Sequence, residues 1–357
     1  MTFINAFTVY LLITFCLALI AGYLLNTFFL NRPIKFLVKK ANKSAIRWSN
    51  QSKPVFGGIT FYVLFMVAYL SFMLIINKNI VFDSQLIALF LIVTISFLMG
   101  MADDLINTPP FFKFIVQVLN AVILISFGVF IEISPHPALN YAITVVWVVG
   151  IMNSINMLDN MDSITNLIAL SIFGGAFISM MLQGISGFLP FMMMFIFAGS
   201  LSFLYFNWHP SKMYMGDNGS QFIGALLAFL GIVFFWNATP LEADNFGSNS
   251  KQAIIVLLAF IVPIADTTTV TINRLMRGQS PFVGGRDHTT HHLSYAGLSD
   301  RKVATLLFII NTISVGFAVY IIHYLPNWNS LWFWSFFTWV FIIFAGLYSL
   351  TKIVKPK

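Results

Sequence analysis

Eleven runs of apolar residues, each near the length of one bilayer crossing, constrain this chain more than any other feature. A hydrocarbon core of roughly 30 Å takes about 20 apolar residues in helical form. Such runs lie at approximately 3–29, 57–77, 85–102, 112–131, 140–158, 164–182, 186–206, 219–236, 252–273, 303–323 and 331–351. Of the 357 residues 59% are apolar and 9% charged, and mean hydropathy is +0.87. Soluble domains carry about a quarter charged residues, so an ordinary soluble enzyme and a disordered chain are both excluded. The expectation is an all-α polytopic membrane protein of about 11 transmembrane helices, a single integral-membrane domain over 1–357. The first run lacks a basic N-terminal region and is longer than a signal-peptide core, so it reads as a retained helix. The one cysteine, Cys16, sits in an apolar run and offers neither a disulfide framework nor a thiolate metal cage.

With eleven crossings, the odd-numbered connections share one side, at about 30–56, 103–111, 159–163, 207–218 and 274–302. Of the 19 Lys and Arg residues, only Lys78 and Lys251 fall opposite. The first connection holds Arg32, Lys35, Lys39, Lys40, Lys43, Arg47 and Lys53, and Lys113 and Lys212 follow in later ones. The ninth adds Arg274, Arg277, Arg286, Arg301 and Lys302, and the tail Lys352, Lys355 and Lys357. By the positive-inside rule the C-terminus is cytoplasmic and the N-terminus faces out. The basic balance of +7 is therefore a topology signal and does not point to nucleic acid.

Carboxylates contribute little to that rule, so their placement is independent information. Asp103, Asp104, Asp159, Asp162, Asp217, Asp266, Asp287 and Asp300 all fall on the basic side or at its boundary. An unpaired carboxylate at a helix end in a membrane is costly, and a hard cation with phosphate ligands is a natural partner. Four stretches carry these acids. In MGMADDLINTPPFFKF (99–114), Asp103 and Asp104 close the third run and Lys113 opens the fourth. In GIMNSINMLDNMDSITN (150–166), Asn153, Asn156 and Asn160 recur along one helical face and lead into Asp159 and Asp162. Asparagine in such a helix can equally be interhelical glue. In HPSKMYMGDNGSQFIG (209–224), Asp217 stands between Gly216 and Gly219 before an apolar run. That arrangement suits close backbone approach and an anion at a helix start, or simply a capped turn.

The fourth stretch is SPFVGGRDHTTHHLSYAGLSDRKV (280–303). Asp287 reads as the N-cap of a short helix, Gly297 as its terminator, and Ser299 as the cap of the tenth run. His288, His291 and His292 would then share one face, with Arg286 beside the positive helix end. A zinc reading exists for such histidines, but Thr289 stands where a zinc protease has Glu. A diphosphate fits better. His136 and His323 lie on the opposite side and read as structural.

Together these motifs resemble the polyprenyl-phosphate N-acetylhexosamine-1-phosphate transferases, the WecA and TagO type, related to MraY. The resemblance rests on PVFGGI (54–59), ADD (102–104) with Lys113, NSINMLDNMD (153–162), MYMGDNGS (213–220), and RLMRGQSPF with RDHTTHHL (274–293). It implies transfer of a sugar-1-phosphate, GlcNAc-1-phosphate being favoured, from a UDP-N-acetylhexosamine to undecaprenyl phosphate. UMP is released, and Mg²⁺ or Mn²⁺ assists. It further implies that Asp217 is the metal ligand and that Asp103 and Asp104 are the acidic pair at the acceptor phosphate. Asn156, Asp159 and Asp162 would form the nucleotide motif, Asp159 and Asp162 joining the acidic pair as catalytic candidates and Asn153 as a substrate-binding candidate, and His288, His291 and His292 with Arg286 the diphosphate loop. Lys53 and Lys113 would be candidate phosphate or nucleotide contacts. The expected setting is the bacterial inner membrane, with the site on its cytoplasmic face among membrane lipid; a homodimer stays open. Direct attack by the lipid phosphate and a covalent aspartyl intermediate also both stay open.

Two departures from the family pattern bear on the donor. Asn160 and Ser163 stand where glycine commonly follows each acid, and the histidine loop is closer to the WecA/TagO type than to MraY. UDP-MurNAc-pentapeptide is thus the alternative donor. The rivals from other classes are a transporter, for which Pro263 with Asp266 would mark a broken helix, and a non-catalytic scaffold.

Overall fold

The computed structural model describes residues 2–32, 53–76, 83–239, 246–280 and 285–354. Lys35, Lys39, Lys40, Lys43, Arg47, Lys78, Pro281, Phe282, Lys355 and Lys357, invoked above, lie outside these residues. Each expected run contains a helix, although the fourth ends at Ser126, short of 131. In chain order they are α1 (Thr2–Asn31), α2 (Gly57–Ser71, continued by a π-helical turn Phe72–Ile76), α3 (Ser84–Ile106), α4 (Pro110–Ser126) and α5 (Pro137–Leu158). Then come α6 (Ile164–Leu182), α7 (Phe188–Asn207), α8 (Asp217–Gly231, with a π turn Ile232–Trp236), α9 (Phe246–Ala259) and α10 (Ile261–Met276). The short α11 (Thr289–Tyr295) precedes α12 (Asp300–Tyr324) and α13 (Ser330–Ile353). Among the described residues, nine helices are long and apolar enough to cross a membrane, and α9 with α10 makes a tenth if counted together. The 17-residue α4 is a shorter apolar helix.

The ninth run is not the single straight helix expected. It breaks between α9 and α10 and turns by 86°. Pro263 is the cause: it has no N–H, and its ring conflicts with the carbonyl four residues back, on Ala259. Residues at the start of α10 bond to other helices. Val262 N donates to Asn311 Oδ1 of α12 (3.4 Å), and the Pro263 carbonyl accepts from Ser154 Oγ of α5 (2.6 Å).

Burial follows position in the bundle. In α8 every residue from Asn218 to Gly231 is buried, enclosed by α2, α3, α5 and α6. Aromatic rings fill the space around it; Phe222 lies 6.0 Å from Phe65 and 6.3 Å from Phe61, centroid to centroid. At the periphery, Leu12, Leu17 and Leu24 of α1 and Leu331, Phe341 and Ile342 of α13 point outward. A surface of that kind suits lipid, where an exposed apolar side chain carries no hydration penalty.

Helix α8 can sit so deep because its neighbours offer no side chain at the crossing. A Cβ on Gly100 of α3 would strike the Asp217 carbonyl, and one on Gly58 of α2 would strike Asn218. The segment before α8 is held by a short backbone pairing. Tyr214 N donates to Pro54 O (2.9 Å), and Gly57 N and Gly58 N donate to the carbonyls of Tyr214 (3.3 Å) and Met215 (3.2 Å).

Gly100→Ala should therefore cost about 1–3 kcal/mol through overpacking against backbone that cannot yield. Thermal unfolding in detergent should show a clear drop in melting temperature. Gly150→Ala, with nothing within 4 Å of the added methyl, should leave it unchanged or slightly raised.

Candidate active site

The site forms where α3 and α5 end and α8 begins. An isolated helix start exposes several N–H groups without partners. Here the capping position is Gly216, at φ +80, which has no side chain to offer. Asp104 of α3 supplies the cap: its Oδ2 accepts from Asn218 N (3.0 Å) and Asn218 Nδ2 (2.6 Å). The same contact sets the direction of Asp217, one residue earlier. Its carboxyl lies beside that of Asp103, and both face Lys113. Lys113 Nζ stands 2.6 Å from Asp103 Oδ2 and 3.9 Å from Asp217 Oδ1. The other Asp103 oxygen accepts from Thr108 N (2.8 Å) and Thr108 Oγ1 (2.7 Å). Asn107, left-handed at φ 53, closes α3, and Pro110 starts α4, so Lys113 returns over the acid pair.

From α5, Asn156 Oδ1 accepts from Ser220 Oγ of α8 (2.7 Å). Asp159 follows the last helical residue and is partly buried. Burial first, then the charges of Asp217, Asp104 and Asp162, push its carboxyl up to about 7. The negative charge is thus in local surplus. Asp162 belongs to a different network. It accepts from Ser211 N (3.0 Å) and Ser211 Oγ (2.8 Å), and His209 Nδ1 lies at 3.0 Å. Lys53 Nζ donates to the same Ser211 Oγ (3.1 Å) and lies over the Tyr214 ring (5.0 Å). Asp162 and Lys53 therefore organise the loop leading to α8. Asn153 lies deeper, bonded to Gln117 of α4 (2.8 Å).

The histidine loop docks on the end of α10. Asp287 is not the N-cap expected; His288 holds that position. Asp287 instead receives Arg274 through Nε (3.0 Å) and Nη2 (2.7 Å), and Arg277 Nη2 (2.7 Å). Burial pushes its carboxyl up, but Arg274 and then Arg277 outweigh this and hold it at about 2. The fork geometry of guanidinium explains why a carboxylate prefers this partner to backbone amides. His288 Nδ1 lies 2.8 Å from Asp266 Oδ2, whose other oxygen accepts from Thr289 N (2.8 Å) and Thr289 Oγ1 (2.6 Å). His291 packs edge to face on His288 with centroids 5.4 Å apart. Burial, then the neighbouring His288, lower the His291 imidazole to about 3, so it is neutral at working pH. His292 is bonded elsewhere, to the Val354 carbonyl (2.8 Å), so the three imidazoles do not act as one face. Arg286 is exposed, and its carbonyl accepts from Tyr295 OH (3.2 Å). Gly297 does end the helix, at φ +101. Ser299 precedes α12 as expected but makes no side-chain cap.

Thr290 Oγ1 donates to Asn160 Oδ1 (2.8 Å), linking the histidine loop to the end of α5. Asp103, Asp104, Asp159, Asp217, Lys113 and Asn156 thus come together, and the histidine loop adjoins them. Thr108, Asn218, Asp266, Arg274 and Thr290 take part as well; all but Asp266 lie in the motif stretches, yet none was singled out from sequence as a site residue, because their partners are defined by folding. Among the described residues no three Asp, Glu, His or Cys side chains form a ready cage for a metal. Magnesium is usually held by one or two carboxylates, with substrate phosphate and water completing its shell. The Asp217–Asp103 pair, all hard oxygen and only partly neutralised by Lys113, fits that requirement.

Asp159 gives a pH test. An acid raised in the folded state favours folding below its unfolded value of about 4. That contribution is lost as pH rises through its folded value of about 7. In chelator, Asp159→Asn should therefore raise the melting temperature relative to the parent at pH 8 and confer little gain at pH 4, as read by thermal unfolding across that range.

Comparison with known proteins agrees with this geometry. The model of Glycosyl transferase family 4 matches residues 86–235, the stretch from α3 to the end of α8. A probable undecaprenyl-phosphate N-acetylglucosaminyl 1-phosphate transferase of Bacillus subtilis is 26% identical over 315 residues, 85% of this chain and 82% of the relative. A decaprenyl-phosphate N-acetylglucosaminephosphotransferase of Mycobacterium leprae is 25% identical, covering 72% of this chain and 70% of its own. A phospho-N-acetylmuramoyl-pentapeptide-transferase of Staphylococcus saprophyticus is 28% identical, covering 73% and 82%. The acids that these motifs supply converge at one end of a helical membrane bundle, and the chain is similar to the polyprenyl-phosphate sugar-1-phosphate transferases.

Proposed function

We propose that this protein transfers N-acetylglucosamine 1-phosphate from its UDP carrier to undecaprenyl phosphate, releasing UMP and starting a cell-envelope polysaccharide. The observation that carries the reading is the Asp217–Asp103–Lys113 cluster at the helix ends. The relatives from Bacillus subtilis and Mycobacterium leprae, both named for N-acetylglucosamine transfer to a polyprenyl phosphate, support the donor and acceptor. The distribution of Lys and Arg supports a cytoplasmic site and C-terminus with the N-terminus outside.

The reaction joins two anions. An oxygen of the lipid phosphate attacks the phosphorus next to the sugar; its bond to the UMP oxygen breaks, and the electron pair leaves with UMP. A lipid acceptor confined to the bilayer presents its phosphate at the depth of the helix ends, which supplies proximity. Asp217 and Asp103 would hold a divalent cation, Mg²⁺ or Mn²⁺, which when bound offsets charge on the diphosphate and on departing UMP. Lys113, across the acid pair, adds a fixed positive charge for the incoming phosphate. Asp104 is spent on the α8 cap and acts by aiming Asp217. Asp159, whose carboxyl changes protonation near neutral pH, suits the acceptance of a proton from the acceptor phosphate. Asn156 and the Asp162 loop frame the nucleotide, while Arg286, His288 and His291 receive the diphosphate. His292, held on Val354, is a weaker contact.

The Staphylococcus saprophyticus relative favours one alternative donor, UDP-MurNAc-pentapeptide. Membranes or purified protein given undecaprenyl phosphate and a panel of labelled UDP-sugars should form a butanol-extractable lipid product with UDP-GlcNAc. Product only with the pentapeptide donor would move the protein to the alternative, and none with any donor would leave a scaffold or transporter. Asp217→Asn should lower transfer by roughly 10²–10³-fold with an unchanged elution profile; near-normal Mg²⁺-dependent transfer would refute its role.

A further inference from the structure

One helical turn beneath the acid cluster, amide side chains join three helices. Gln117 of α4 is the hub. Its Nε2 faces Asn153 Oδ1 of α5 and Gln221 Oε1 of α8, each at 3.3 Å, and its Oε1 accepts from Asn153 Nδ2 at 2.8 Å. Gln117 and Gln221 are wholly buried. Each amide stacks under a residue of the site. Gln117 follows Lys113 by four, Gln221 follows Asp217 by four, and Asn153 precedes Asn156 by three, spacings that place side chains on one helical face. Since α5 ends at the site while α4 and α8 begin there, all three amides lie on its membrane side. Asn120, a further turn along α4, ties the same face to Ser96 of α3 (2.8 Å).

Packing alone does not call for this cluster. Buried amides cost free energy unless bonded, and Gln221 Nε2 has no hydrogen-bond partner among the described residues. Apolar side chains of like volume would hold the helices together without that cost. What amides add is direction, fixing the rotation and axial register of three helices at once. Register matters here because Lys113 stands 2.6 Å from Asp103 but 3.9 Å from Asp217. A small rotation of α4 towards α8 would seat the ammonium on Asp217, in direct competition with a cation.

We propose that Gln117, Asn153 and Gln221 are positioning residues that set Lys113, Asn156 and Asp217 relative to one another and so keep Asp217 open to a divalent cation. This rests on the reading that Asp217 binds that cation.

The test is Mn²⁺ binding to the purified full-length protein, followed by electron paramagnetic resonance, beside thermal unfolding. Gln117→Met and Gln221→Met, near in volume, should each weaken Mn²⁺ binding by about 10-fold. Because they share one bond, the double variant should lose little more than either alone. Asn153→Ala should give the same loss and serves if a methionine variant does not fold. Asn311→Leu is the control. It removes another buried amide, bonded to Ser171 (2.6 Å) and to Val262 N (3.4 Å) on helices other than α4, α5 and α8, and should lower the melting temperature while leaving Mn²⁺ binding intact. The proposal falls if the amide variants bind Mn²⁺ like the parent. It also falls if Asn311→Leu weakens binding as much as they do, since the amides are then glue alone. If Asp217→Asn binds as tightly as the parent while the amide variants do not, the cation assignment fails, and this inference with it.

Discussion

A helix that begins inside a membrane protein has N–H groups that water cannot satisfy. In this chain the start of α8 meets that need with a carboxylate from another helix. Asp104 accepts twice from Asn218, and the bond requires α3 and α8 to approach more closely than side chains permit. Gly100 and Gly58 provide the space. Once that contact forms, Asp217 lies against Asp103, and Lys113 has one place to go. The chemistry at the helix ends is thus a consequence of how one orphaned helix start is capped.

Charge is divided between two bodies of opposite character. Around α8, four aspartates face one lysine, and the surplus shows in an Asp159 carboxyl pushed up to about 7. Around α10, two arginines surround Asp287 and hold it at about 2, while Asp266 takes up His288. The first body is electrostatically incomplete and the second nearly closed. A cation suits the former, and an anionic diphosphate lying between them would meet the latter. The bond from Thr290 to Asn160 is one of the links between them.

The apolar runs made the bundle legible, because a bilayer imposes length and composition on every crossing. Clustering of aspartates on one side made the site legible for the same reason, since a carboxylate at a helix end must be explained. What could not be read was how individual acids are shared out. Asp104 and Asp162 look alike in sequence to Asp103 and Asp159, yet the first caps α8 and the second binds Ser211. Asp287 had the spacing of an N-cap, but Arg274, 13 residues earlier, claims it with a geometry that backbone amides cannot match. The break at Phe260 had a local signal in Pro263, while the angle depends on Asn311 and Ser154 from other helices. The stripe Lys113, Gln117, Asn120 was present as a pattern in α4, and its meaning emerges only when α5 and α8 stand opposite.

Ser163 shows how this chain has paid for leaving the glycine pattern. It sits in the left-handed region at φ 68, which a side chain tolerates poorly. Its N–H donates to Asn207 Oδ1 (2.9 Å) and its hydroxyl to the Asn207 carbonyl (2.8 Å). Asn207 in turn reaches the Met213 carbonyl (2.9 Å), on the approach to α8. Because the Asn207 amide binds the backbone N–H of residue 163 and not its side chain, glycine at 163 would keep that bond and shed the left-handed strain, forfeiting only the hydroxyl's hold on the Asn207 carbonyl.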